Sequence, residues 1–149
     1  MLKLENLSLR FDDDQIIRDV SFEVADGELV CLLGPSGCGK TTILRLIAGF
    51  EKPEAGTISL GDQIVSSASH AIAPQKRDVG FLFQDYALFP HLTVAENIAY
   101  GLSGRTKQQV KDRTAEMLRQ IRMQDHAYKY PHELSGGEQQ RVALARARA

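Results

Sequence analysis

The sequence predicts an α/β fold in which a strand-rich first half gives way near residue 84 to a helical half. Three observations carry this. Apolar residues alternate at period two near the N-terminus, the spacing of half-buried strands. An unbroken apolar run, Leu29-Val30-Cys31-Leu32-Leu33, leads through a glycine-rich turn into the helical pattern Ile43-Leu44-Arg45-Leu46-Ile47-Ala48. Beyond residue 84, three separate Ser/Thr-x-x-Glu/Gln signatures each open a helix.

Leu2 and Leu4, then Leu7, Leu9 and Phe11, alternate, and the change of phase at Glu5-Asn6 predicts a bulge or kink. Asp12-Asp13-Asp14 is a polar turn. Val20, Phe22 and Val24 alternate again before the turn Asp26-Gly27, so the start of the chain reads as an antiparallel hairpin. It leads into residues 29–33, whose lack of polar positions suits a buried strand of a parallel sheet covered on both faces. Cys31 is expected there as a small buried hydrophobe. After the helix, Gly49 begins an exit and residues 53–56 turn. Residues 57–60 and 64–65 are short strands around Gly61-Asp62, and 66–73 is a loop. Residues 79–83 read as another apolar strand. Thr93-Val94-Ala95-Glu96 opens a short helix. Thr106-Lys107-Gln108-Gln109 opens a longer one with Val110, Met117, Leu118 and Ile121 on one face. Ser135-Gly136-Gly137-Glu138 opens the last, in which Val142, Leu144 and Ala145 are apolar.

The 149 residues suffice for one domain with a real core, and 43% hydrophobic with 25% charged residues is the balance of a soluble globular protein. A formal net charge of −1 lacks the basic excess of a general nucleic-acid binder. No apolar run approaches the ~20 residues of a membrane helix. Met1-Leu2-Lys3-Leu4-Glu5-Asn6 lacks the features of a signal peptide, so the chain is expected to stay in the cytoplasm. The two cysteines, Cys31 and Cys38, form no disulfide framework and are expected as reduced thiols. Cys38 at a helix start is either an inert thiol or a reactive one with lowered pKa.

The central stretch Gly34-Pro35-Ser36-Gly37-Cys38-Gly39-Lys40-Thr41-Thr42 has the spacing G-x-x-x-x-G-K-[ST] of a phosphate-binding loop. Glycines let the backbone bend so that successive N–H groups point inward as an anion nest, and the helix dipole adds to the same place. Lys40 would reach the β- and γ-phosphates of a nucleotide, the Thr41 hydroxyl would hold Mg²⁺, and Thr42 supports the turn. A glycine-rich turn that carries a lysine by chance is the alternative, and the strand and helix patterns on either side weigh against it. Leu134-Ser135-Gly136-Gly137-Glu138-Gln139-Gln140-Arg141 is the other informative stretch. On composition alone its residues favour a plain capped helix over a helix N-terminus that offers N–H groups and a hydroxyl to a phosphate.

With these residues in view, the chain resembles a known family. LSGGEQQRVALARA is similar to the signature motif of ATP-binding-cassette (ABC) ATPases, and GPSGCGKTT to their Walker A loop. Phe83-Gln84-Asp85-Tyr86-Ala87-Leu88-Phe89-Pro90-His91-Leu92-Thr93-Val94 resembles their Q-loop and the coupling region after it. The three motifs stand in the family's order and run the length of the chain. The resemblance implies a P-loop NTPase of the ABC ATPase type, with an N-terminal antiparallel β part, a helical subdomain and an incomplete core sheet. It implies ATP and Mg²⁺ as cofactors. Gly34, Pro35, Ser36, Gly37, Cys38, Gly39, Lys40, Thr41 and Thr42 would hold phosphate, Lys40 and Gln84 would serve catalysis, and Thr41 and Gln84 would hold the metal. Phe11 is similar to the aromatic that stacks on adenine, although a core residue ending its strand would look the same. Ser135, Gly136 and Gly137 match the groups that close over the γ-phosphate of ATP held by the other protomer.

The implied partners are a second ATP-binding subunit in a head-to-tail homodimer, transmembrane permease subunits and, indirectly, a solute-binding protein, with no nucleic acid. The implied place is cytoplasmic, peripheral on the inner face of the cell membrane. LFPHLTV with Ala95-Glu96-Asn97-Ile98-Ala99-Tyr100-Gly101-Leu102 resembles bacterial importers of ferric iron, polyamines, sulfate, thiamine and sugars. GFEKPEAGTISLGDQIV most resembles the ferric-iron branch. The expected domain is a partial ABC ATPase domain over 1–149: a strand-rich core part with Walker A (1–83), the Q-loop and helical subdomain (84–134) and the signature helix (135–149).

The sequence also departs from the family. The Walker B strand with its Asp-Glu and the switch histidine, which the family places after the signature, are not present, so an N-terminal part of a longer protein is expected, inactive alone as an ATPase. Asp85 follows an apolar run but Gln84 intervenes, so it is not a Walker B acid. His70, His91, His126 and His132 do not stand where the switch histidine belongs, and Arg148 replaces a usual apolar residue. The leading expectation is the ATP-binding subunit of an importer that couples ATP to solute uptake. The alternatives are a cassette ATPase without a membrane partner and a catalytically silent ATP-binding fragment.

Overall fold

Alternation at the N-terminus becomes a long hairpin. In the computed structural model, which describes residues 1–102 and 104–149, β1 (Leu2–Phe11) pairs antiparallel with β2 (Asp14–Val24), from Leu2 opposite Val24 to Phe11 opposite Asp14. The register shifts between Leu4 and Leu7, where Asn6 takes a φ of 49°, so the bulge expected from the phase change is present. Asn6 N–H donates to Ser21 Oγ (2.8 Å) and its side-chain amide to Asp19 Oδ1 (2.9 Å), which fixes the kink. β3 (Ala55–Leu60) pairs with β1, and β4 (Gln63–Ser67) with β3, giving the antiparallel order β2-β1-β3-β4. β3 starts inside the stretch expected as a turn, and β4 runs on through Ser66 and Ser67, which were expected in the loop.

α1 (Lys40–Ala48) belongs to this first unit, Met1–Val79. Its Ile43, Leu46 and Ile47 pack with Leu4, Leu7, Leu9, Ile17, Ile58 and Val65 from the strands. Burying a side chain of this kind stabilises by about 1.5–3 kcal/mol before entropy is counted. The helix ends at Gly49, φ 89°, whose N–H donates to Arg45 O (2.9 Å). A Cβ there would also meet Arg77 Nε at 2.5 Å, so glycine is required twice over.

Two expected strands do not form. Residues 29–33 and 79–83 lie in no ladder. Leu29 is 96% and Leu33 88% exposed, and Cys31 is exposed rather than a buried hydrophobe. An apolar run states that a segment is to be covered, but a strand exists only by exchanging hydrogen bonds with a neighbour. Among the described residues neither run joins a strand ladder, and the sheet that forms is antiparallel. The expected parallel core sheet is therefore not assembled here.

The second unit, Gly80–Ala149, is helical. α2 (Val94–Ala99), α3 (Lys107–Gln120) and α4 (Gly136–Arg148) share a core of Val94, Ile98, Met117, Leu118, Met123, Leu134, Val142 and Ala145. All three expected capping boxes are closed, on Thr93, Thr106 and Ser135. On the apolar face expected for α3, Met117 and Leu118 are buried and Val110 and Ile121 half-buried, while Leu144 of α4 is exposed.

Candidate functional site

In the first unit the exposed stretch from Gly34 to Cys38 turns over the start of α1. Gly39 is the N-cap residue, left-handed at φ 90° and ψ 3°. A Cβ on it would meet Ile17 Cδ1 at 2.7 Å and Ile16 O at 3.1 Å, so only glycine lets the helix start this close to β2. No side chain caps α1, and its first turn holds no acidic residue. Ile43 N–H bonds back to Gly39 O (2.9 Å) and Cys38 N–H to Pro35 O (3.4 Å); the first-turn amides before Ile43 lack an intrahelical acceptor and lie at the positive end of the dipole. Lys40 Nζ donates to Gly34 O (2.8 Å) and Pro35 O (2.7 Å) and lies 3.4 Å from Cys38 Sγ. The ammonium is thus folded across its own loop instead of extended into solvent. These residues fit an anion: open amides, a fixed cation and no carboxylate in the turn. Thr41 is exposed in the first turn of α1 and Thr42 half-buried. Phe11 ends β1 at 45% exposure, so it is not a core residue closing its strand.

The opposite end of α1 is held by a residue that pattern reading missed. Arg77 is 4% exposed. Its Nη1 donates to Leu46 O (2.9 Å) and Ile47 O (3.0 Å), and its Nε to Ile72 O (2.7 Å). A cation on the last carbonyls complements the helix dipole, and burial lowers the pKa of this guanidinium.

In the second unit Gln84 is exposed in a turn, with Tyr86 N–H donating to Phe83 O (3.1 Å). Tyr86 and Ala87 both take left-handed backbone, φ 61° and 44°, at a cost of about 1–2 kcal/mol each for residues other than glycine. Arg146, from the last turn of α4, donates from Nη2 to Tyr86 O (3.0 Å) and from Nη1 to Ala87 O (2.7 Å), and lies over the Phe89 ring. Asn97, fully buried in α2, accepts from Phe89 N–H (2.9 Å) and donates to the carbonyls of Phe89, Leu92 and Thr93. Arg146 and Asn97 therefore set the path of the segment after Gln84. Neither carries a local signal, because each acts on backbone far away in sequence or across a loop.

Ser135, Gly136 and Gly137 are exposed at the start of α4. Ser135 Oγ donates to Glu138 Oε2 (2.6 Å) and accepts from Glu138 N–H (3.4 Å), while Ser135 N–H donates to the same carboxylate (2.7 Å). The hydrogen bond from the Ser135 hydroxyl, then that from its backbone, holds the Glu138 carboxyl below the usual carboxylate range. A Cβ on Gly136 or Gly137 would meet nothing, and neither residue has a positive φ. The fold of this chain does not demand glycine at either place. Of the residues expected to serve one site, Gly34 to Thr42 and Phe11 belong to the first unit, Gln84 and Ser135 to Gly137 to the second.

Comparison with known proteins bears on both units. The chain is 48% identical over 149 residues to the spermidine/putrescine import ATP-binding protein PotA of Marinobacter nauticus, covering 99% of this chain and 39% of that protein. It is 50% identical over 148 residues to the sulfate/thiosulfate import ATP-binding protein CysA of Gloeobacter violaceus, covering 98% of this chain and 42% of the relative. The chain thus spans about two fifths of the length of these relatives. Their names support neither the ferric-iron branch nor a cassette without a membrane partner. In structure it matches the dimeric ABC transporter cassette MJ0796 with a TM-score of 0.85 and 30% identity, over 99% of this chain and 68% of that one. A post-hydrolysis state of the same cassette, bound to ADP and Pi, matches with a TM-score of 0.83. The model of the ABC transporter family matches residues 17–149, and the chain belongs to that family.

Proposed function

We propose that this chain is the nucleotide-holding part of the ATP-binding subunit of an ABC importer, and that the whole protein couples ATP hydrolysis to uptake of a small charged solute. Relatives named for polyamine import and for sulfate import make those two solute classes the ones to try first. The observation that carries the reading is the Lys40 ammonium set on the Gly34 and Pro35 carbonyls beside the uncapped, acid-free start of α1.

Phosphoryl transfer to water needs the nucleotide held, its charge neutralised and the water oriented. In this reading the amides of Gly37 to Thr42 and Lys40 grip the β- and γ-phosphates, with Pro35, Ser36 and Gly34 shaping the loop. Phosphate oxygens replace the two carbonyls now bonded to Lys40, because an acceptor that carries negative charge holds an ammonium more strongly than a neutral carbonyl does. Phe11, exposed at the end of β1, stacks on the base. Thr41 and Gln84 would hold Mg²⁺, which supplies further charge neutralisation at the γ-phosphate, and Gln84 also orients the water. Ser135, Gly136 and Gly137 serve the nucleotide of a second copy in a head-to-tail dimer. The two glycines lose more backbone freedom at the helix start than alanine would, which nothing in the surroundings of either one requires and which is expected where another molecule's phosphate approaches. Residues 1–83, 84–134 and 135–149 are assigned as core part, Q-loop with helical subdomain, and signature helix of one partial ABC ATPase domain. Among the described residues no helix is long and apolar enough to cross a membrane. The relatives named as import ATP-binding proteins support placing the whole protein at the inner membrane face, held there by permease subunits.

Titration with a fluorescent ATP analogue tests the site, and copurification of the full-length protein with transmembrane subunits tests the importer assignment. No binding by the unsubstituted chain would remove the first; ATP turnover in a protein that never associates with membrane subunits would remove the second.

A further inference from the structure

We infer that Arg146, on the last turn of α4, is the positioning residue for the turn that carries Gln84, so that this turn and α4 behave as one piece. The inference rests on the role proposed for Gln84 and adds a residue to which that role assigns nothing.

The contact is a fork on backbone. Arg146 Nη1 and Nη2 donate to the consecutive carbonyls of Ala87 (2.7 Å) and Tyr86 (3.0 Å), and the guanidinium carbon stands 5.3 Å from the centre of the Phe89 ring. Only arginine offers parallel donors in a rigid plane with a face that stacks on an aromatic ring. The two carbonyls belong to residues that hold left-handed backbone without being glycine, φ 61° and 44°. Consecutive strained residues persist only where their surroundings over-determine them. The guanidinium is half-buried, and burial is the cause that lowers its pKa. Its hydrogen-bonding capacity goes to the turn, not to a carboxylate. On the far side Asn97 ties Phe89 to α2 through its N–H and its carbonyl. Gln84 thus stands exposed on a short bracket anchored at Tyr86-Ala87 by α4 and at Phe89 by α2. A displacement of α4, whose first turn is Gly136-Gly137-Glu138, is carried by Arg146 to the backbone beside Gln84.

Hydrogen exchange of the chain and steady-state ATP hydrolysis by the full-length protein test this together. Arg146→Lys keeps the charge and removes the fork. The expected result is exchange of the amides at 85–89 faster by about tenfold or more, with α2 and α4 within about twofold of the unsubstituted chain. In the full-length protein kcat falls about tenfold while KM for ATP stays within about twofold. Ala87→Gly relieves the left-handed strain at one of the two residues, so adding it to Arg146→Lys should recover at least half of the lost turnover. Unchanged exchange at 85–89 overturns the inference, as does a general loss of protection across residues 80–149, which would make Arg146 a packing residue only. A loosened turn with unchanged kcat overturns it too. The exchange measurement decides the role of Arg146 even if the protein binds no ATP, and the latter result would count against the function proposed above instead.

Discussion

The chain has two glycine-rich helix starts, and they are finished in opposite ways. α1 begins at a left-handed glycine with no side-chain cap and no acid in its first turn, under a lysine folded on the loop's own carbonyls. α4 begins at a serine whose hydroxyl and amide both bond Glu138, a closed capping box. The first leaves its dipole and amides for an external anion; the second satisfies itself and partly offsets its dipole with its own carboxylate. A shared glycine-rich composition thus hides a difference in kind. In the function proposed above, one start is an anion site within a single chain, and the other becomes a phosphate contact only when a second molecule brings one to it.

The largest expected effect separates the two directly. Lys40→Ala should weaken binding of an ATP analogue by about 100-fold or more, roughly 2.8 kcal/mol, whereas Ser135→Ala should change the affinity of an isolated protomer by less than about twofold. Equal losses in fluorescence titrations would erase the distinction. Next comes the support behind α1: Arg77→Met removes a charged donor from three carbonyls and should destabilise the first unit by about 2–3 kcal/mol, read from urea unfolding. A change below about 0.5 kcal/mol would mean that the guanidinium does not hold the end of that helix.

What was legible in the sequence is what neighbouring residues decide. The hairpin with its bulge at Asn6, the helix behind the glycine loop, the strands around Gly61-Asp62 and all three capping boxes are written in spacings of a few residues. Residues 29–33 and 79–83 form no strand because an apolar run does not say which neighbouring strand it would pair with, and a ladder is made only by such pairing. Arg77, Asn97 and Arg146 stayed hidden for a related reason. Arg77 reaches Leu46 and Arg146 reaches Tyr86 across 31 and 60 positions, and nothing near an arginine announces that it will lie buried on distant carbonyls. At the glycine loop before α1 the motif named the residues, and the structure added that Lys40 is bonded to the Gly34 and Pro35 carbonyls and that no side chain caps the start of α1.

Two smaller effects sharpen the reading of α4. Ser135→Ala should lower the stability of the second unit by about 1 kcal/mol, measurable by urea unfolding. If it also leaves ATP-driven dimerisation and turnover of the full-length protein intact, Ser135 has only its capping role. The smallest effect concerns pH. The Glu138 carboxyl titrates lower in the folded chain than in the unfolded one, because Ser135 bonds its ionised form. Its contribution is therefore complete above the unfolded pKa, about 4.3, and is lost as pH falls through the folded value. Glu138→Gln should flatten the stability profile of the second unit below about pH 5; an unaltered profile would show the box to be dispensable.

Backbone amide chemical shifts of the chain during titration with ATP and Mg²⁺ put the contrast between the two helix starts to the most direct test. The expected result is large, saturating shifts at Gly37 to Thr42, with Ser135, Gly136 and Gly137 silent while the chain is monomeric. Shifts that appear first at 135–137, or a loop at 37–42 that does not respond, would contradict it.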